Sequence, residues 1–246
     1  MSRFSSGART GSYLTRGSTL SLMGILFLWT QPGAHAGTIS GEARFNGALP
    51  DQPVIQLSKD QDYCGRTLPN ESYLIGPNRG LKNVVIYIDR PPSHPVASRK
   101  ENILDNQGCR FAPRVLAMAW GERLIVKNSD PKLHIVHAYF EQRTVFSLSL
   151  PFRGLSVEAT HKIRRPALLQ LNCDTHSWMR GHIHVFGHPF FAVTGESGTF
   201  SIADVPAGRH TLKAWHEEAG LQSAEITVPE RGEAKADFEL KKKTLP

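Results

Sequence analysis

The 246-residue chain holds only three cysteines, too few for a disulfide-built scaffold or a four-cysteine zinc site. Long apolar runs are missing after residue 36: no later stretch approaches the 18 or so residues that a membrane helix needs. Charge of one sign is also scarce. Lys and Arg number 29 and Asp and Glu 22, but residues 1–36 carry Arg3, Arg9 and Arg16 and no acid. The remainder has 26 basic against 22 acidic residues, without the basic clusters that a nucleic-acid surface requires. The run Lys241-Lys242-Lys243 reads as a solvated tail. Catalytic signatures are missing too, with no HExxH, no phosphate loop and no serine elbow. The expectation is a chain that is not an enzyme.

The N-terminal segment reads as an export signal. A basic stretch to Arg16 precedes the apolar run Leu20–Trp29 and the small-x-small triplet Ala34-His35-Ala36. The run is short for a 30 Å hydrocarbon core, so cleavage is favoured over an uncleaved anchor. A mature chain from Gly37, without a membrane span, is expected in a periplasm, where thiols oxidise.

Helical periodicity is nearly absent from the remainder. Short alternating runs rich in Val, Ile, Leu and Phe are punctuated by Gly, Pro and Asn-Asp signals, which predicts an all-β chain of sandwich type. Expected strands are 38–45, 83–89, 114–118, 123–127, 134–140, 167–172, 182–186, 199–202, 210–215, 223–228 and 234–240.

Three cysteines in an oxidising compartment leave one over. Cys64 and Cys109 both lie in glycine-adjacent loops, and their pairing is the economical one; two free buried thiols are the alternative. Cys173 stands apart in Cys173-Asp-Thr-His176-Ser-Trp-Met179. A thiolate, an imidazole and a thioether within seven residues form a soft donor set suited to copper. A fourth ligand must come from elsewhere, and His134, after the Asn128-Ser-Asp-Pro131 loop, is the candidate. Two imidazoles and a thiolate with a weak thioether describe a blue-copper electron-transfer site. Each residue also has a plainer reading: Cys-x-x-His arises by chance, Met179 beside Trp178 could be core, and a lone His134 is more often structural. Among other histidines, His137 should face away from His134. His182 and His184 share one face, as a strand surface or a weak second metal pair. His94 and His188 adjoin prolines in connectors, and His216 is left unassigned.

The stretch Phe111–Asp130, then His134-Ile-Val-His137, then the CDTHSWM run, resembles the cupredoxins, with a ligand loop most similar to the amicyanin type. Carried over residue by residue, the resemblance implies one type 1 copper site held by His134, Cys173, His176 and Met179. It further implies that His176 is the ligand nearest solvent, with redox partners docking around it at Ser177, Trp178 and Arg180. Ile135 stands where the family usually has Asn, removing a side chain that ties the two ligand loops. Asp174 follows the cysteine where a small or neutral residue is usual, and would lower the potential if it pointed inward.

A second resemblance lies in Gly195–Trp215, where the Gly-x-Phe-x-apolar pattern and the Pro206-Ala-Gly208 turn look like the carboxypeptidase regulatory-like, transthyretin-type sandwich. Gly37–Gly47 and Leu81–Asp89 look like the opening strands of that family. Expected boundaries are 1–36 signal peptide, 37–92 opening strands of this sandwich, 93–187 a Greek-key cupredoxin and 188–246 the remaining strands and tail. The cupredoxin is then inserted into the second sandwich, with two consecutive domains as the alternative. The function expected is a one-electron carrier, against a copper-handling module as the other class.

Overall fold

The computed structural model describes Gly11, residues 36–92 and residues 100–243. The segment read as a signal peptide, and His94, lie outside the described residues apart from Gly11 and Ala36. Among the described residues, no helix is long and apolar enough to cross a membrane.

The architecture is all-β, in two pairs of facing sheets with separate cores. In the first pair, Ala36–Phe45 lies between Thr199–Pro206, antiparallel to it, and the short parallel strands Glu233–Lys235 and Phe238–Leu240. Alternation drives this strand: Ile39, Ala43 and Phe45 are buried beside half-exposed neighbours. Gly41 is required, since a Cβ there would sit 1.8 Å from the Ala236 carbonyl oxygen of the adjoining segment. The facing sheet runs Phe191–Val193, Val85–Ile88, Gly208–His216, Gly220–Val228. Leu81, Ile86, Ile88, Phe190, Phe200 and Leu212 fill the space between these sheets.

The chain leaves these sheets after Ile88 and returns to them at Phe191. Every strand from Glu101 to Phe186 belongs to the second pair. One sheet runs Arg143–Leu150, His134–Phe140, Ala167–Cys173, Arg180–Phe186, Val115–Ala119; the other runs Ser156–Glu158, Arg123–Asn128, Glu101–Asn106, Phe111–Ala112. Their core includes Leu104, Val126, Val136, Phe146, Leu169, Leu171 and Ile183.

Two features differ from the sequence reading. Residues 37–92 do not all serve the first pair of sheets. Ile55–Gln56 and Thr67–Leu68 form a hairpin-like pair around the short helix Gln61–Cys64, and Leu57 and Cys64 pack there with Cys109, flanked by Trp178. A disulfide joins Cys64 to Cys109, leaving Cys173 as the free cysteine. The face shared by His182 and His184 is also no open surface. Trp215 lies against both rings, at centroid separations of 5.1 and 4.4 Å, in the apolar layer that joins the two pairs of sheets. His216 is buried as well and stacks on Tyr73.

Candidate metal centre

Three loop ends converge at one end of the inner strands of the five-stranded sheet. His134 is the first residue of its strand and Cys173 the last of the next, in the register that sets Cys173 opposite Val136. The six residues from Asp174 to Met179 return the chain to Arg180–Phe186 in a tight turn. It is fixed by backbone bonds from His176 N to Cys173 O (3.3 Å), Met179 N to His176 O (3.0 Å) and Cys173 N to Met179 O (3.3 Å). The first loop is tied to the second by Asp174 N donating to Ile135 O (3.0 Å) and Thr175 Oγ1 donating to Leu133 O (3.0 Å). Backbone and hydroxyl thus supply the connection that the side chain of Ile135 cannot make.

The result is a compact donor triangle. Cys173 Sγ lies 3.8 Å from His134 Nδ1 and 3.7 Å from His176 Nδ1, and the two nitrogens are 3.2 Å apart. The point equidistant from these atoms is about 2.1 Å from each, within the roughly 2.0–2.3 Å of bonds from a first-row metal to nitrogen or thiolate sulfur. All three side chains are buried, and both imidazoles are fully so. Met179 is buried in the same core cluster as Cys173. Among the described residues, His134, Cys173 and His176 form the group able to hold a metal ion.

The electrostatics favour a thiolate at Cys173 and a proton on His134. Burial pushes the Cys173 thiol up, but hydrogen bonds with His134, His176, Thr175 and the Ile135 backbone outweigh it and bring the thiol down to about 5. Burial depresses His134, yet the Asp130 carboxylate and the Cys173 sulfur raise it to about 9. The thiol is pushed down and the imidazole up by one another, and a metal ion bound between them would replace the shared proton with its own positive charge.

Behind the triangle stand residues that the sequence did not disclose. His134 Nε2 lies 3.1 Å from Asp130 Oδ2, and both side chains are fully enclosed. Asp130 also accepts from Gly108 N (2.7 Å), Cys109 N (2.8 Å) and Tyr63 Oη (2.9 Å). Its own burial acts to raise its pKa, but these donors and His134 hold it below the usual carboxylate value. His176 Nε2 lies 2.9 Å from Asp60 Oδ2, 116 residues away in sequence. Thr175 Oγ1 sits 3.0 Å from Cys173 Sγ. Asp130 is only four residues before His134, a separation a local pattern can suggest, whereas Asp60 has no such local signal.

One expectation is corrected. His176 is not exposed to solvent: its ring is 0% exposed, covered by Asp60 and by Trp178 at a centroid distance of 4.9 Å. Asp174 points away from the triangle, to His137 Nδ1 at 3.1 Å. His137 faces out of the sheet, as its three-residue offset from His134 predicts, and stacks on Tyr139.

Fold and site together define an all-β protein with a buried thiolate–bis-imidazole centre. No family model matches the chain, and no curated protein matches it. Among solved structures, a mutant amicyanin in its reduced state is similar at 16% identity and a TM-score of 0.31, over 41% of this chain and 97% of that one. A purple cupredoxin from Nitrosopumilus maritimus is similar at 18% identity and a TM-score of 0.29, over 35% and 97%. A copper-containing nitrite reductase from Thermus scotoductus SA-01 is similar at 20% identity and a TM-score of 0.30, over 40% of this chain and 27% of that one.

Proposed function

We propose that this chain is an exported type 1 copper protein of the periplasm that carries one electron between protein partners, and that it is not itself an enzyme. The observation that carries the reading is the buried triangle of His134 Nδ1, Cys173 Sγ and His176 Nδ1, closed by a three-residue return to Met179. In this reading His134, Cys173 and His176 are the strong ligands and Met179 the weak fourth, a soft set that matches copper better than magnesium or calcium. Copper, when bound, supplies the one-electron couple. The protein's part is to hold the donors still and dry: both loops are cross-tied by Asp174 and Thr175, and the imidazoles are excluded from water. Fixed donors reorganise little when the charge of the centre changes, which speeds electron exchange.

In the same reading the strands from Glu101 to Phe186 are a cupredoxin-type domain inserted into a transthyretin-like sandwich that scaffolds it. Partners approach over exposed Ser177 and Arg180 and half-buried Trp178, whose ring touches His176. The full burial of His176 favours a second reading, a copper-handling module without fast turnover. Metal analysis with visible and EPR spectra of the secreted protein distinguishes them. An intense thiolate-to-copper band that bleaches and returns reversibly on redox cycling supports the carrier. Colourless Cu(I) retained in air supports handling, and failure to bind copper in a Cys173-dependent way overturns both.

A further inference from the structure

Both imidazoles of the centre are braced from behind by carboxylates, and both braces lead to one five-residue segment, 60–64. Asp60 accepts from His176 Nε2 at 2.9 Å. Tyr63, three residues on, donates to Asp130 Oδ1 at 2.9 Å, and Asp130 holds His134 at 3.1 Å. Cys64 then bridges to Cys109, whose own backbone N–H donates to Asp130 Oδ2 at 2.8 Å. Lys132, in the loop that leads into His134, pairs with Asp62 at 2.5 Å and Asp60 at 3.5 Å.

The local backbone is shaped for this purpose. Asp60 occupies the N-cap of the helix Gln61–Cys64, where an aspartate ordinarily turns its carboxylate onto the helix's own N–H groups. It makes no such bond; the carboxylate is directed to His176 and Lys132 instead. Its φ of 50° lies in the left-handed region, which is unfavourable for a residue other than glycine, though Asp tolerates it better than most.

We propose that the segment 60–64, pinned by the Cys64–Cys109 bridge, is a cover over the metal centre, and that Asp60 is a positioning residue for His176. By accepting a hydrogen bond from Nε2–H, Asp60 fixes the tautomer in which the unprotonated Nδ1 faces the metal position beside Cys173 Sγ, and makes that nitrogen more basic. A half-buried negative charge next to a ligand favours the more positive, oxidised centre and lowers the reduction potential. The cover also blocks the route by which solvent and chelators would reach His176. The potential and metal-release consequences rest on the copper reading; the cover itself does not.

The test uses the full secreted chain with Asp60→Asn and Asp60→Ala, and Lys59→Ala as an exposed neighbour that should change nothing. Copper-loaded Asp60→Asn is expected to lose metal to EDTA about 10–100-fold faster than wild type, the usual cost of losing such a brace. Its potential is expected to rise; a tenfold change in the relative affinity for the two oxidation states corresponds to about 59 mV. In metal-free protein, labelling of Cys173, the free thiol, by a charged maleimide should accelerate on the order of tenfold in Asp60→Ala as the cover opens locally. Wild-type release rate and potential in Asp60→Asn would overturn the positioning role. An unchanged labelling rate in Asp60→Ala would overturn the cover, whichever metal the wild-type centre binds. Absence of a Cys173-dependent copper band in wild type instead defeats the copper reading, and leaves the labelling arm to decide the cover.

Discussion

Asp130 is the residue on which the inner wall of the centre depends. It is a fully enclosed carboxylate with three donors besides His134, and those donors come from two chain segments far apart in sequence. Asp130→Asn keeps the shape but removes the charge and turns one acceptor into a donor that faces other donors. Leaving such partners unmatched in a buried site costs roughly 2–4 kcal/mol. Urea unfolding of the metal-free variant should show a loss of that size, with copper affinity reduced about 10–100-fold. Asp174→Asn is expected to behave differently. Asp174 is exposed and engaged by His137, so its removal should move the potential far less than Asp60→Asn does; an equal shift would mean that it turns inward. These two aspartates mark what sequence reveals about a site. Spacing alone brought out Cys173, His176 and Met179, because a short turn between paired strands fixes their separation. Asp60 could not be found that way, since a contact spanning 116 residues is set by a disulfide and a tertiary fold, not by any local pattern.

The elements that frame the site are held as much by cross-links as by their strands. The Cys64–Cys109 bridge closes a 45-residue loop, and in the chain-entropy model such a link is worth about 4 kcal/mol. A Cys64→Ser, Cys109→Ser variant should therefore unfold at lower urea by about that much, and should release copper faster, because the cover and the Asp130 contacts loosen together. Stability falling while release stays at the wild-type rate would separate the bridge from the centre. The sequence indicated the bridge through simple cysteine parity, and most strands through alternation. It missed Arg143–Leu150, although Val145–Leu150 alternates, and it missed Glu101–Asn106. The second omission has a physical cause. That strand turns Asn102 and Asn106 inward, where their amides donate to the Arg123 and Lys127 carbonyls, so its buried face reads as polar. Alternation of hydrophobicity cannot report a strand whose inward face is partly polar, its amides donating to carbonyls of the neighbouring strand.

At the scale of the molecule, the junction between the two pairs of sheets is part apolar and part ionisable. Arg114 and Glu217 form a bidentate pair at 2.6 and 2.8 Å, largely enclosed, beside His182, and Trp215 spans the His182 and His184 rings. This construction has a pH signature. Burial, with Arg114 adding to it, depresses His182 to about 4; burial and His182 bring His184 to about 3; burial, Arg114 and His182 bring His216 to about 4. In the unfolded chain each titrates near 6.5. Below that pH the unfolded state binds more protons, so the stability from keeping these rings neutral is complete above about 6.5 and is lost as pH falls toward 4 and then 3. Moving one titration by a single pH unit is worth about 1.4 kcal/mol, so the three together cost several kcal/mol by pH 4. Thermal melts followed by tryptophan fluorescence should show the melting temperature falling steadily from pH 7 to pH 4. His184→Leu isolates the effect from the carboxylates that titrate in the same window. It removes a buried nitrogen that has no hydrogen-bond partner, so its stability at pH 7 should equal or exceed wild type, while its loss between pH 6.5 and 4 should be visibly smaller. A variant with the wild-type acid profile would mean that the junction opens to water before these histidines titrate, and that the two halves are less firmly joined than Trp215 and the Arg114–Glu217 pair imply.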